Sequence, residues 1–245
     1  MKRGQISLFI LIGIVVIAII GLGIYFRSSS LKLTSESEQL LPVKVQNFKD
    51  NFISCTNTLV KDNIGIAGIQ GGYLILPEDI FEDEDLALPF YYDKGQNKAL
   101  SIEDVKNHLN EGITISLPLC ADEESFPKLI IERGELDVKI IMDDFATMAI
   151  INYPLTITQN EETFALQEPY EIEFPVRLKT IIEAANGITE MNMDDPEKLD
   201  LEDMVNYNLD IELFHPEEGI EFYSITDADS ILDDEPYTFL FANRR

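Results

Sequence analysis

Between Arg3 and Arg27 the chain carries no charged side chain. From Leu8 to Phe26 it reads LFILIGIVVIAIIGLGIYF, nineteen residues in which only glycine interrupts Leu, Ile, Val, Ala and aromatics. At a rise of about 1.5 Å per residue, about 20 such residues cross a hydrocarbon core of about 30 Å. The β-branched content suits a helix poorly in water and matters little in lipid, where every backbone polar group must bond internally. A cleaved secretory signal has a shorter apolar region, roughly 7–15 residues, followed by small residues. This run is longer and ends in Tyr25-Phe26-Arg27. A core helix seldom stays uncharged over 23 positions. The sequence therefore predicts a transmembrane helix over residues 5–27. Lys2 and Arg3 precede it and Arg27 and Lys32 follow; the positive-inside rule places the N-terminal end in the cytoplasm.

The remaining chain, residues 28–245, carries 15 basic and all 45 acidic residues, a net charge of −30 on the part expected outside against −27 for the whole chain. That balance excludes nucleic acid as a partner, because no basic surface is available to displace phosphate counterions. With 45% hydrophobic residues the chain can bury a core. Two cysteines exclude a disulfide-dense miniprotein and a four-cysteine zinc site.

Lys2-Arg3-Gly4-Gln5-Ile6-Ser7, followed directly by the apolar run, resembles an archaeal class III signal peptide of type IV pilin-like proteins. The resemblance covers about the first 25 residues and implies cleavage after Gly4, with Gln5 as the first mature residue. It also implies that the apolar helix is retained and can pack into a filament core. Pilins usually carry Glu as the fifth mature residue; Phe9 stands there, a departure that favours a simple anchor over a filament. The whole chain also resembles single-pass surface proteins of small-genome archaea, which implies no activity.

Residues 28–39 are polar and read as a linker. Leu41, Val45, Phe48, Phe52, Cys55 and Leu59 then recur at alternating intervals of four and three, one face of a helix that should end near Gly65–Gly68, before Gly71-Gly72. Tyr73–Leu76 and Leu86–Tyr92 read as strands around the acidic turn Glu82–Asp85. Ser101 is a good N-cap for a second helix with Ile102, Val105, Leu109 and Ile113 inward, ending at Pro118. Lys128–Glu132, Leu136–Met142 and Phe145–Tyr153, separated by Arg133-Gly134 and Asp143-Asp144, read as a meander. A strand pair flanks Gln159-Asn160-Glu161, and a third helix follows Pro175 with Leu178, Ile181, Ile182, Ala185 and Ile188 on its apolar face. The acidic stretch Asp194–Asp203 reads as solvated loop and helix end. Leu209–Phe214, Ile220–Ile225 and Tyr237–Ala242 read as closing strands, the last pairing locally or continuing in a longer product.

Cys55 and Cys120 lie 65 positions apart. In an external domain they are expected to be bridged, the alternative being two buried thiols. Thiol catalysis has no support, since His108 and His215 are the only histidines and neither sits in a motif. His215-Pro216-Glu217-Glu218 offers one nitrogen and two carboxylates without the spaced histidine pair usual for zinc. Asp227, Asp229 and Asp233 begin like a calcium loop, but Ile231 and Leu232 stand where ligands and glycine belong. Low-affinity Ca2+ binding there, or at Glu82–Asp85, is weighed against a solvated acidic face; otherwise no cofactor is expected. Glycosidase, Walker, dinucleotide and serine-hydrolase patterns give no lead, and Trp, a common sugar-stacking residue, is absent.

The expected fold class is α+β: an N-terminal transmembrane helix, then an ectodomain of antiparallel sheet with about three helices. The expected domains are a cytoplasmic leader 1–4, the span 5–27, the linker 28–39 and an acidic extracytoplasmic domain 40–245. The expected function is that of a membrane-anchored cell-surface protein, a pilin-like, adhesive or structural envelope component rather than an enzyme. Its partners are the lipid bilayer and other envelope or pilin-like subunits. The alternative is a solute-binding or sensor module that signals through a partner.

Overall fold

A computed structural model of the chain describes residues 41–83, 86–194 and 208–245. Helix α1, Val43–Ile69, buries Val45, Phe48, Phe52, Thr56, Val60, Ile64 and Ala67. It stops where Gly71 and Gly72 take φ of +53° and +82°. The Gly72 N–H bonds the Ala67 carbonyl at 2.6 Å and the Gly71 N–H bonds that of Gly68 at 3.3 Å. This double closure satisfies the orphan carbonyls of the last turn and needs left-handed backbone that glycine adopts without cost. Helix α2, Ile102–Ser116, starts from a reciprocal box between Ser101 and Asp104 and runs into a 3-10 turn, Leu117–Ala121, that contains Pro118. Helix α3, Leu178–Asp194, buries Leu178, Ile181, Ile182, Ala185 and Ile188 as its spacing predicts.

The largest sheet contains β1 (Ile80–Glu82), β2 (Ala87–Asp93), β10 (Asp210–Glu217), β11 (Ile220–Leu232) and β12 (Glu235–Arg244), in the order β1-β2-β12-β11-β10, with the short β3 (Gln96–Asn97) on β2. All neighbours are antiparallel except β12 and β2, which run parallel. The register slips between Ala242 and Asn243, and there the Asn243 side chain accepts the Tyr92 N–H at 2.9 Å. Helix α1 packs on β12. The Tyr237 hydroxyl donates to the Ile64 carbonyl at 2.7 Å, and rings of Tyr91, Tyr223, Phe239 and Phe241 fill the space beneath the helices.

Two three-stranded sheets complete the domain: β4 (Ile130–Arg133), β7 (Leu155–Gln159) and β8 (Glu162–Leu166) in the order β4-β7-β8, and β5 (Asp137–Met142), β6 (Thr147–Asn152) and β9 (Tyr170–Phe174) in the order β5-β6-β9. They are the two arms of one bent meander. β4 continues into β5, β6 into β7 and β8 into β9, each around a corner. The Gly134 N–H bonds the Pro154 carbonyl at 2.8 Å inside the bend. Between the pairs Arg133↔Leu155 and Asp137↔Asn152 one strand advances four residues and its partner three, a bulge that turns the sheet. The Asn110 amide of α2 donates to the Val138 carbonyl and covers the β5 edge.

The expected fold class is corrected. The domain is sheet-rich with three α-helices among the described residues, and its main sheet is mixed rather than antiparallel. No helix of the described residues is long and apolar enough to cross a membrane. The leader 1–4, the span expected at 5–27 and the linker 28–39 lie outside the described residues, as do Glu84, Asp85 and 195–207. Tyr73–Leu76 forms bends after the α1 cap, and the strand paired with β2 is Ile80–Glu82. The run Lys128–Glu132 does not pair with the strand that follows it, because Arg133-Gly134 makes a corner and not a hairpin. The closing run Tyr237–Ala242 lies within β12, an interior strand between β11 and β2.

Candidate interaction surface

Cys55, half-buried on α1, and Cys120, buried in the 3-10 turn after α2, form a disulfide with Cα atoms 5.6 Å apart. The bridge fastens the end of α2 to the middle of α1. Next to it lies an open groove of about 490 Å³, lined by Asn51, Ser54, Thr58, Asp62, Asn63 and Ser116 as well as Cys55 and Leu59. Thr58 donates to the Ser54 carbonyl at 3.1 Å and the Asn63 amide to that of Leu59 at 2.8 Å. Five of the eight lining residues carry a hydroxyl or amide, and no nucleophile is hydrogen-bonded to a base there, so the polar chemistry of the groove is hydrogen bonding. Ile115 and Leu119, 64% and 77% exposed, come from the same α2 end. Gly4 and Gln5, the expected processing site, lie outside the described residues.

The three aspartates of the calcium-like segment do not converge. The segment is strand, part of β11, with a bulge between Asp227 and Ile231. Asp227 is fully buried and takes two hydrogen bonds from the Arg177 guanidinium, at 2.9 and 2.6 Å, and one from Ser230. Burial pushes its carboxyl up, but the Arg177 and Ser230 hydrogen bonds outweigh it and hold the group below its ordinary value. Asp229 lies 3.3 Å from the same guanidinium, and Asp233 pairs with Lys61 of α1 at 2.6 Å. Two of the three carboxylates thus face one arginine and the third a lysine. No group of three or more His, Cys, Asp or Glu side chains comes together among the described residues.

His215 meets neither Glu217 nor Glu218 in an ion pair. Its Nε2 lies 3.3 Å from Glu221 on the neighbouring strand, which also receives Arg245 at 2.7 Å. The Tyr223 hydroxyl donates to Glu221 at 3.1 Å and accepts from Asn192 of α3 at the same distance. His108 bonds the Gly72 carbonyl at 3.1 Å and packs on Tyr73. At the parallel junction Asp93 and Asp79 alternate with Arg244 and Lys98. Arg244 reaches Asp93 and Asp79 at 2.7 Å each, Lys98 reaches them at 2.5 and 3.2 Å, and Arg244 lies 4.3 Å over the Phe90 ring. The hydrogen bond from Arg244, with Lys98 behind it, holds the Asp93 carboxyl at about 2. Sequence reasoning missed Arg177 and Arg244, whose partners are far off in the chain, with basic residues scarce among many acids as the one available signal; it also missed Glu221, whose partners His215, Tyr223 and Arg245 meet it through the pairing of the closing strands.

No family model, no curated protein and no solved structure matches this chain.

Proposed function

We propose that the chain is a membrane-anchored cell-surface protein whose acidic domain acts by protein–protein interaction, as a pilin-like, adhesive or structural component of an envelope. The observation that carries this reading is the Cys55–Cys120 bridge. Disulfides persist in oxidising compartments and are rare in reducing cytosol. The uncharged stretch from Leu8 to Phe26 supports attachment at the membrane, and the pilin-like motif around Gly4 and Gln5 supports the class. Exposed Ile115 and Leu119, from the α2 end that contributes Ser116 to the groove, supply apolar contact area there.

Cross-linking on intact cells tests the interaction: recovery of a second copy or of another envelope protein supports it, and recovery of monomer alone contradicts it. N-terminal peptide mass spectrometry on the same membranes reports the processing. A mature chain beginning at Gln5 supports the pilin-like class, and an intact Met1 or Lys2 end leaves an uncut anchor.

A second reading, a solute-binding or sensor module, is favoured by the groove of about 490 Å³ and its hydroxyl and amide lining. Its mark is a saturable small-molecule ligand that protects Asn63 or Ser116 from labelling.

A further inference from the structure

A second cleft, of about 310 Å³, shares no residue with the disulfide groove. It is lined by Lys44 and Asn47 at the start of α1 and by Ser125 to Leu129 ahead of β4. Phe126 packs edge-on against Phe48 at 5.3 Å, and Leu129 is buried beside it. Lys44 and Lys128 are both exposed, and neither forms an ion pair among the described residues. Val43, 76% exposed, precedes Lys44, and Ile130, 63% exposed, follows Lys128 by two residues. Of the neighbouring acids Glu123 faces a cation, while Asp122 and Asp50 accept hydrogen bonds from neutral groups and keep their charge. Asp122 accepts the N–H groups of Glu124 and Ser125 at 3.0 and 3.3 Å, Glu123 lies 3.7 Å from Arg133, and Asp50 accepts from Gln46 at 2.8 Å. Glu124 and Glu132 are exposed acids left over among the described residues, Glu132 on the same face of β4 as Ile130.

On a chain of net charge −27, the lining of this cleft holds two lysines and no acid, with exposed apolar side chains at its margin. We propose that it docks on an anionic bilayer, with Lys44 and Lys128 on the phosphate headgroups and Val43, Pro127 and Ile130 at the acyl boundary. Interfacial sites combine these two features, apolar area for insertion and lysines for the surface potential. Position in the chain points to the same occupant. Lys44 follows Phe26 by 18 residues, and a chain of that length spans at most about 60 Å. The proposal rests on the membrane attachment proposed above, which keeps the patch within that reach and raises its effective concentration at the surface.

The full chain contains no Trp, so Ile130→Trp and, separately, Val43→Trp each give a single reporter at an exposed position. Each variant is mixed with vesicles of phosphatidylcholine, or of phosphatidylcholine with phosphatidylglycerol, both containing brominated acyl chains. Flotation reads the anchor and Trp quenching reads the patch. The expected result is flotation with both lipids and quenching with the anionic one alone. Lys44→Gln and Lys128→Gln should each weaken the quenched population about fivefold without changing flotation. Flotation without quenching in either variant overturns the docking and spares the anchor. Quenching by anionic vesicles without flotation on neutral ones upholds the docking and overturns the anchor. Failure of both overturns both.

Discussion

Arg177 grips Asp227 with two parallel hydrogen bonds, Nε to Oδ2 at 2.9 Å and Nη2 to Oδ1 at 2.6 Å. The pair ties the residue ahead of α3 to the bulge of β11, and the Arg177 N–H adds a bond to Ser230 at 2.8 Å. Because Asp227 has no exposed surface, removing its partner strands a charge in the interior. Arg177→Ala should cost about 3–5 kcal/mol, the range for breaking a buried ion pair from one side. Urea unfolding of Arg177→Ala, Asp227→Ala and the double variant checks it: the double variant should lose less than the two single losses combined. Additive losses would show that the two side chains are not coupled.

The disulfide closes a loop of 65 positions. Its removal by Cys55→Ser with Cys120→Ser should destabilise the domain by about 4 kcal/mol through the freed unfolded chain. The denaturant midpoint measures this, and wild-type mobility on electrophoresis should change with reductant. Mobility indifferent to reductant would mean free thiols.

Two glycines of α1 should respond oppositely to alanine. A Cβ on Gly68 would stand 2.5 Å from the Thr238 carbonyl oxygen and 2.8 Å from the Tyr237 ring, whereas one on Gly65 would meet Leu232 at an ordinary 3.6 Å. Gly68→Ala should therefore destabilise by about 1–3 kcal/mol through overpacking. Gly65→Ala should stabilise by roughly 0.5–1 kcal/mol through helix propensity. Thermal melting of the two variants decides it.

Acid should weaken the junction of β2 and β12 late. The folded pKa of Asp93, about 2, lies below its ordinary 3.8, so its contribution is complete above the ordinary value and lost as pH falls through the folded one. Asp93→Asn should remove part of the stability at neutral pH and flatten the stability–pH curve between those two values. An unchanged acid limb in Asp93→Asn would contradict the role.

Local signals made some elements legible and long-range partners hid others. Ser101 and Asp104 announce α2 because the box that starts it is made of neighbours in the chain. The α1 stripe was legible only to Phe52; beyond it Thr56, Val60 and Ile64 turn inward while Cys55 and Leu59 are half-buried. Successive steps of four rotate the buried face around the helix. Thr56 escapes hydropathy because its hydroxyl is satisfied by the Phe52 carbonyl at 2.7 Å. Asp227 to Leu232 looked like a loop since acids are rare in strands, and the arginine that admits Asp227 to the interior stands fifty residues earlier. The strand runs of the meander were visible, yet alternation reads the same whether Gly134 makes a hairpin or a corner. The bridge was legible from cysteine count and the expected compartment together, while the grooves, each built from two segments far apart in the chain, left no pattern to read.

Surface labelling of intact cells tests the account most directly. A membrane-impermeant amine reagent should modify Lys44, Lys128 and other domain lysines before lysis, on a protein that stays with the membranes after alkaline washing. Labelling that appears only after lysis, on a protein released into the soluble fraction, would contradict it.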